Sequence, residues 1–281
     1  SRAPDGGRDL LAAGALERHG VGAVVGAHVQ PILTGGTVAA TTGAVNAASD
    51  QFEIVVRGRG GHGGYPHLAH DPVVAMAQVI VMLQQVVSRR INPLHSAVLT
   101  IGSVHAGSAA NVIPDEARAQ GTLRVLDESG RTFIREELTA VVSQVASALG
   151  CQGEVIVHEG EPALVNDPAL TERTHPWLTG LGFEISAPLR SCGADDFSYY
   201  GGAAPSLMMF VGVDQTDLPD RAEPAMLHSP RFRPPDASVG EVARALLAGY
   251  LGAVDLLAGV DGAAGAAGAA GVAAVDAAGR G

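Results

Sequence analysis

The sequence contains no lysine: all 18 basic residues are arginine, against 29 acidic residues. This absence excludes Schiff-base chemistry, a phosphate-binding P-loop and a serine–lysine dyad. Cysteine is scarce as well, since Cys151 and Cys192 are the only two and neither belongs to a C-x-x-C motif. The chain is therefore not a disulfide scaffold, and we expect it in a reducing compartment, the cytoplasm.

Aromatic residues make up 4% of the chain although 47% is hydrophobic, so the core must consist mainly of Ala, Val and Leu. No uninterrupted apolar run reaches the ~18–20 residues of a membrane span, and we expect no membrane partner. The net charge of −11 disfavours nucleic acid, because phosphate neutralisation needs clustered cations. The chain has no initiator methionine and no apolar leader, so we expect no signal peptide and a start inside a longer gene product.

Hydrophobic periodicity predicts one regular unit and two flanking segments. A short helix is predicted over 10–18 in the first segment. In the regular unit, strands are predicted over 51–57, 97–104, 116–125 and 154–158, and helices over 72–90, where Asp71 and Pro72 give the start, and over 129–149. This order, β-α-β-β-α-β, is typical of a ferredoxin-like domain, here over 47–160. Because 1–46 and 161–256 do not repeat it, the sequence predicts an insertion into an α/β domain. The Gly/Ala repeats of 257–281 predict a disordered tail.

Two of the ten histidines follow patterns that suit a metal ligand. His28 ends a predicted buried strand, Gly22–His28, and ligands gather beyond the carboxyl ends of strands in α/β sheets. Its imidazole can bind a metal there, or it can be a structural group bonded to a backbone carbonyl. His228 lies in a polar loop 200 residues further on. In such a loop a histidine is more often a structural group than a metal ligand.

A third histidine, His62, lies in a glycine-rich loop. Glycines let a backbone approach a ligand closely, and a histidine among them can donate a hydrogen bond to a developing oxyanion. The alternative is a flexible hairpin loop. Gly58, Gly60 and Gly63 also satisfy G-x-G-x-x-G, but Pro66 intervenes before the next helix and no acidic residue follows at the required distance. These departures disfavour a nicotinamide-binding protein.

Six motifs in one order resemble the metal-dependent aminoacylase and carboxypeptidase family, and most closely its hippurate hydrolase and auxin-conjugate hydrolase branch. The resemblance covers roughly residues 1–250. The motifs are Gly58–His67 followed by Asp71-Pro72, Gly102–Gly107, Asn111–Glu116, Gly121–Arg124, Gly193–Phe197 and His228–Pro230. It implies a zinc-peptidase-like catalytic α/β domain with an inserted ferredoxin-like lid, through which two subunits form a homodimer.

The resemblance also implies roles for five residues. His28 and His228 match metal-ligand histidines, and His62 resembles the lid histidine that steadies the tetrahedral intermediate in the partner subunit. Asn111 resembles a lid asparagine that contacts substrate, and Arg124 is similar to an arginine that holds the substrate carboxylate. Two divalent ions of zinc, manganese, cobalt or nickel then activate water and polarise the amide carbonyl of a small N-acyl amino acid.

The chain departs from this family at two motifs. His-x-Cys-Gly-His-Asp and Pro-x-Glu-Glu, which supply the other metal ligands and the general base, are absent. We therefore expect a fragment, inactive by itself, of an enzyme that hydrolyses N-acyl amino acids or related amides. The alternative is a non-catalytic dimeric relative that acts as a binding protein. The gene sequence upstream of Ser1 distinguishes these two hypotheses.

Overall fold

The computed structural model describes residues 6–214 and 225–259. Their contacts divide the chain into two compact units. The first comprises Ser1–Val45, Leu164–Ser191 and Asp196–Gly281, and the second comprises Asn46–Ala163 and Cys192–Asp195.

The strands and helices are numbered along the chain. The strands are β1 (Val24–Gln30), β2 (Thr37–Ala39), β3 (Gly43–Asn46), β4 (Ala48–Arg57), β5 (Gly61–His62), β6 (Ala97–Ala106), β7 (Val112–Ile113), β8 (Glu116–Val125), β9 (Gln152–Glu159), β10 (Leu164–Asn166), β11 (Glu184–Ile185) and β12 (Ser206–Gly212). The α-helices are α1 (Gly6–Ala12), α2 (Ala15–Arg18), α3 (Pro72–Gln85), α4 (Glu128–Ala148), α5 (Pro168–Gly180) and α6 (Ala237–Ala258). Short 3-10 segments cover Pro66–Leu68 and Asp196–Gly202, and a π-helical turn, Val86–Arg90, follows α3.

The second unit is built on a four-stranded antiparallel sheet in the order β6-β8-β4-β9. Both crossovers of the β-α-β-β-α-β order, α3 and α4, pack on the same face. Alternate residues of each strand point to that face, and the helices add their apolar sides. This core contains Phe52, Ile54, Val56, Met76, Val79, Leu83, Leu123, Ile134, Leu138 and Val142. The predicted ferredoxin-like unit is thus present, with β8 at its predicted bounds.

Both helices of this unit begin at an aspartate cap. The Asp71 side chain accepts hydrogen bonds from the N–H groups of Val73 and Val74, and Pro72 occupies the first helical position, where no N–H is needed. Asp127 caps α4 by accepting from the Gly130 N–H at 2.6 Å. The first of these starts was predicted from Asp71-Pro72, because the capping signal is local in sequence.

The first unit contains a mixed sheet in the order β1-β12-β2-β11, and β3 pairs with β10 separately. The strands β1 and β12 run parallel with His28 opposite Phe210. The helices α5 and α6 pack against each other and supply much of the core. Its buried residues include Val38, Leu170, Leu178, Phe183, Leu207, Met209, Val211, Ala245 and Ala248.

Three details of the predicted elements differ in the structure. The helix predicted over 10–18 is two short helices, because Gly14 takes a left-handed conformation with φ +68° and interrupts the turn. The strand predicted over Gly22–His28 lies two residues later, over Val24–Gln30. The helix α6 includes Leu257 and Ala258, which were assigned to the tail, and it ends at Gly259 with φ +68°. The rest of the predicted tail, from residue 260, lies outside the described residues.

One helical segment, Pro72–Arg90, is long and apolar enough to cross a membrane by length and composition, with a mean hydropathy of 1.3. It is not an uninterrupted apolar run, because glutamines interrupt it. A core helix passes the same test, and five residues of this segment are buried in the core of the second unit: Ala75, Met76, Val79, Leu83 and Val86.

Candidate functional site

The glycine-rich loop around His62 is anchored along its length. The Gly58 N–H donates to the Asp115 carbonyl at 2.8 Å, and the Gly60 N–H donates to the Asp115 carboxylate at the same distance. A methyl group on Gly60 would approach the Ile113 carbonyl oxygen to 2.7 Å, so a side chain there would force the two segments apart. Glycine is therefore needed at position 60 for close backbone packing.

Two of the predicted site residues, His62 and Asn111, lie side by side in this loop region. The strands β5 and β7 pair antiparallel, with His62 opposite Val112. The Gly63 N–H donates to the Asn111 carbonyl at 2.8 Å. Both His62 and Asn111 are exposed, so their side chains are accessible to a ligand.

The His62 ring is held by a backbone donor. The Gly64 N–H donates to Nδ1 of His62 at 2.9 Å. Because a backbone N–H can only donate, Nδ1 carries the lone pair, and the proton of the neutral ring is on Nε2. His62 therefore presents an N–H donor to its surroundings, which is what an oxyanion requires.

An aromatic residue that the sequence analysis did not single out, Tyr65, packs beside this imidazole. The ring centroids of His62 and Tyr65 are 5.4 Å apart, and Tyr65 meets His67 edge-on at 6.4 Å. The Tyr65 N–H also donates to the His62 carbonyl at 2.8 Å, which closes the turn. The sequence signal that could have identified Tyr65 was its position, three residues after the loop histidine.

Arg124 lies near the end of β8, in the middle of the sheet. It is opposite Ser49 of β4 and Val98 of β6, on the face that the helices do not cover. The side chain is half-buried and belongs to no ion pair within the described residues. A guanidinium without an ion-pair partner can bind a carboxylate by donating two parallel hydrogen bonds to it.

Other arginines on the same open face already have partners. Arg118 donates to Glu53 and Glu116, both at 2.6 Å, and Arg57 donates to Glu154 at 2.8 Å. Hydrogen bonds to these carboxylates raise the pKa of both arginines. Arg124 therefore differs from its neighbours on this face in having no carboxylate of its own.

In the first unit, His28 is held in the opposite tautomer. Its Nδ1 lies 2.7 Å from the Val29 carbonyl oxygen, and a carbonyl can only accept, so Nδ1 carries the proton. The lone pair of the neutral ring is then on Nε2. A metal-ligating histidine commonly has this arrangement, with one nitrogen donating to a carbonyl and the other free to bind. The structural hydrogen bond weighed as an alternative is present, and it leaves the metal-binding nitrogen available.

The backbone at His228 is strained. Its φ is +65°, the only positive value for a residue other than glycine within the described residues. The Ser229 N–H donates to the Met226 carbonyl at 3.1 Å, which makes His228 the third residue of a tight turn where glycine is favoured. Strain of about 1–3 kcal/mol is typically retained where a side chain has a function.

These histidines do not complete a metal centre by themselves. Among residues 6–214 and 225–259, no three His, Cys, Asp or Glu side chains gather closely enough to hold a metal ion. A catalytic zinc site takes three protein ligands. The donor chemistry at His28 fits a metal, but further ligands are needed.

Comparison with known proteins identifies the second unit. Residues 46–149 match the family model of the M20 peptidase dimerisation domain. The second unit belongs to the M20 peptidase dimerisation-domain family. The mixed α/β fold with an inserted domain, predicted from the sequence, is that of M20 peptidase structures and is confirmed.

The chain is similar to two curated deacetylases of Bacillus subtilis strain 168. It is 37% identical over 195 residues to the N-acetyl-L-cysteine deacetylase, covering 69% of this chain and 47% of the relative. It is 36% identical over 212 residues to the N-acetylcysteine deacetylase, covering 75% of this chain and 55% of the relative. The chain thus spans about half the length of these relatives.

Two solved structures share the fold over most of this chain. A suggested aminohydrolase of methicillin resistant Staphylococcus aureus has a TM-score of 0.79 at 30% identity, covering 91% of this chain and 64% of that one. The YXEP protein of Bacillus subtilis, described as a dinuclear metal binding peptidase from the M20 family, has a TM-score of 0.72 at 28% identity, covering 88% and 60%.

Proposed function

We propose that the protein to which this chain belongs hydrolyses the amide bond of N-acyl amino acids in a metal-dependent reaction. The observation that carries the proposal is the pair of opposite tautomers: His62 offers an N–H donor and His28 offers a lone pair. Hydrolysis of an amide needs both a donor for the carbonyl oxygen and a ligand for the metal. The deacetylases named above act on N-acetylcysteine, which is a substrate of this class.

The residues of the second unit receive the substrate in this proposal. Arg124 binds the free carboxylate of the amino acid, because its guanidinium has no carboxylate partner among the residues that the structure describes. Asn111, adjacent to His62, contacts the amide, and Nε2–H of His62 donates to the carbonyl oxygen as negative charge develops there. Removal of one such donor typically lowers kcat by ~10²–10³.

His28 and His228 hold the metal ions in the proposal. A bound divalent ion of zinc, manganese, cobalt or nickel would supply Lewis acidity for water activation. Since these two histidines are too few for a closed site, this chain alone should bind divalent metal weakly and should hydrolyse no N-acyl amino acid. Calorimetry that finds two tight sites per chain would contradict this expectation.

We also propose a homodimer formed by the second unit. The strand β6 is an edge of the sheet, with unpaired backbone groups that can accept a second copy. Apolar surface is exposed at Val98 of this strand and on the outward side of α3, at Val73, Val74 and Val81. A two-fold contact would bury this surface on both copies at once.

The decisive experiment uses the natural gene product that contains this chain. Hydrolysis of N-acyl amino acids should disappear on chelation and return with a divalent metal. His62→Gln should lower kcat by ~10²–10³, whereas His158→Gln, which changes an exposed histidine of the same unit, should not. If no N-acyl amino acid is hydrolysed under any metal, the proposed function is wrong.

The second candidate is a non-catalytic dimeric relative that binds N-acyl amino acids. It is favoured by the lack of three gathered ligands within the described residues. Such a protein would bind the substrates in calorimetry without hydrolysing them. Within the family we propose the hippurate and auxin-conjugate hydrolase branch, on the six motifs, and a cytoplasmic location, on the two free cysteines.

A further inference from the structure

Large apolar side chains surround the exposed His62. Tyr65 is 59% exposed, Val112 is 53% exposed and Leu68 is 63% exposed. Single exposed apolar residues are ordinary, whereas a cluster around a polar group marks a binding surface. None of these three residues contributes to the buried core of the second unit.

Two of the three flank the imidazole directly. Val112 is paired opposite His62 between β5 and β7, and opposite residues of an antiparallel pair point to the same face of the ladder. The Tyr65 ring centroid lies 5.4 Å from that of the imidazole. The turn from His62 to Tyr65 is closed by a backbone hydrogen bond of 2.8 Å. The His62 imidazole therefore has one aromatic and one branched apolar residue as neighbours.

We propose that Tyr65 and Val112 form the wall that contacts the acyl group of the substrate. The inference rests on the proposed function, in which His62 donates to the oxygen of the scissile carbonyl. The acyl chain is bonded to that same carbonyl carbon, so it lies within reach of the side chains next to His62. It is also the apolar end of an N-acyl amino acid, since the other end carries the carboxylate assigned to Arg124. Tyr65 and Val112 are thus specificity-determining residues.

The side chains of Tyr65 and Val112 favour one class of acyl group. An acetyl group is too small to cover both side chains, whereas a branched or aromatic acyl group buries its surface against them. Aromatic pairs gain from contact beyond the area they bury, and a pocket difference of one or a few carbons changes kcat/KM by ~10-fold or more. We therefore expect neutral acyl groups broader than acetyl to be preferred.

The experiment compares N-acetyl and N-phenylacetyl derivatives of one amino acid on the natural gene product. Tyr65→Ala should lower kcat/KM for the phenylacetyl substrate roughly tenfold and for the acetyl substrate less than about twofold. Tyr65→Phe should retain the preference if the ring is responsible. Val112→Ser should act in the same direction. Tyr250→Ala is the matched control, because Tyr250 is 60% exposed on α6 in the other unit.

The outcomes separate this inference from the proposed function. Equal losses for both substrates with Tyr65→Ala, in an enzyme that hydrolyses both, would overturn the inference and leave the function standing. A loss that Tyr65→Phe reproduces would also overturn it, because the hydroxyl and not the ring would then be the contact. Hydrolysis of neither substrate by the unchanged protein would overturn both.

Discussion

At the residue scale, the proposed chemistry depends on which nitrogen of His62 and of His28 carries the proton. The same side chain can be a donor or a ligand, and the neighbouring backbone decides which. At His62 the neighbour is an N–H, from Gly64, and at His28 it is a carbonyl, from Val29. Sequence motifs nominate both residues, but they do not specify these neighbours.

The tautomers can be measured directly. In long-range ¹H–¹⁵N spectra of the chain labelled with ¹⁵N-histidine, recorded where the rings are neutral, His62 should show a protonated Nε2 and His28 a protonated Nδ1. The signals are assigned by removing one histidine at a time. A His62 ring protonated on Nδ1 would contradict the hydrogen bond from Gly64 and, with it, the proposed donor.

Arg124 gives a second prediction at this scale. In the natural gene product, Arg124→Ala should lower kcat/KM for N-acyl amino acids by ~10–100-fold and for their methyl esters only slightly. The reason is that the ester lacks the charged group that the guanidinium binds. Arg118→Ala is the matched control, since Arg118 lies on the same strand and face but already has carboxylate partners. Equal losses on acids and esters would make Arg124 a structural residue.

At the scale of elements, a buried ion cluster joins β4, α4 and the segment that follows β9. Arg131 and Arg135 donate to the buried carboxylate of Asp50, at 2.6 and 2.8 Å, and the Gly160 N–H donates to it at 3.1 Å. Burial by itself raises the pKa of Asp50, but these hydrogen bonds outweigh it and lower the pKa to about 2. The cluster thus holds α4 and the segment after β9 against β4 at this end of the sheet.

The cluster predicts an acid-sensitive stability. Because the folded pKa of Asp50 is below its unfolded value of 3.8, its contribution is complete above about pH 4 and is lost as the pH falls toward 2. The difference corresponds to about 2 kcal/mol. Arg131→Met should cost roughly 3 kcal/mol in urea unfolding at pH 7 and less near pH 2.5. The exposed pair of Arg57 and Glu154 is the control. Arg57→Met should leave the unfolding midpoint unchanged at both pH values.

At the scale of the whole molecule, we expect two copies to share their active sites. A lid histidine can act in the partner subunit only if two dimerisation domains associate, and the chain carries such a domain over 46–149. In the natural gene product, His28→Ala should disable the metal site of its own subunit. His62→Ala should remove the donor that is given to the partner.

Mixing the two variants tests this arrangement. Each variant dimer alone should be nearly inactive, but a mixed dimer pairs one intact metal site with one intact His62. Unfolding and refolding the two together should therefore restore a measurable fraction of activity, with each mixed dimer reaching up to about half the activity of an unchanged dimer. The positive control is refolding of the unchanged protein. If heterodimers form and no activity returns, His62 acts within its own subunit or not in the reaction.

The sequence alone determined the local features of this protein. The alternation of β8, the aspartate–proline start of α3 and the β-α-β-β-α-β order depend on neighbours a few residues apart, so they could be predicted. The tertiary structure decided what depends on distant segments. It paired His62 with Val112 and gave the imidazoles of His62 and His28 their backbone partners. Within residues 6–214 and 225–259 it also left Arg124 without a carboxylate, because hydrogen bonding and burial are set by residues brought together only on folding.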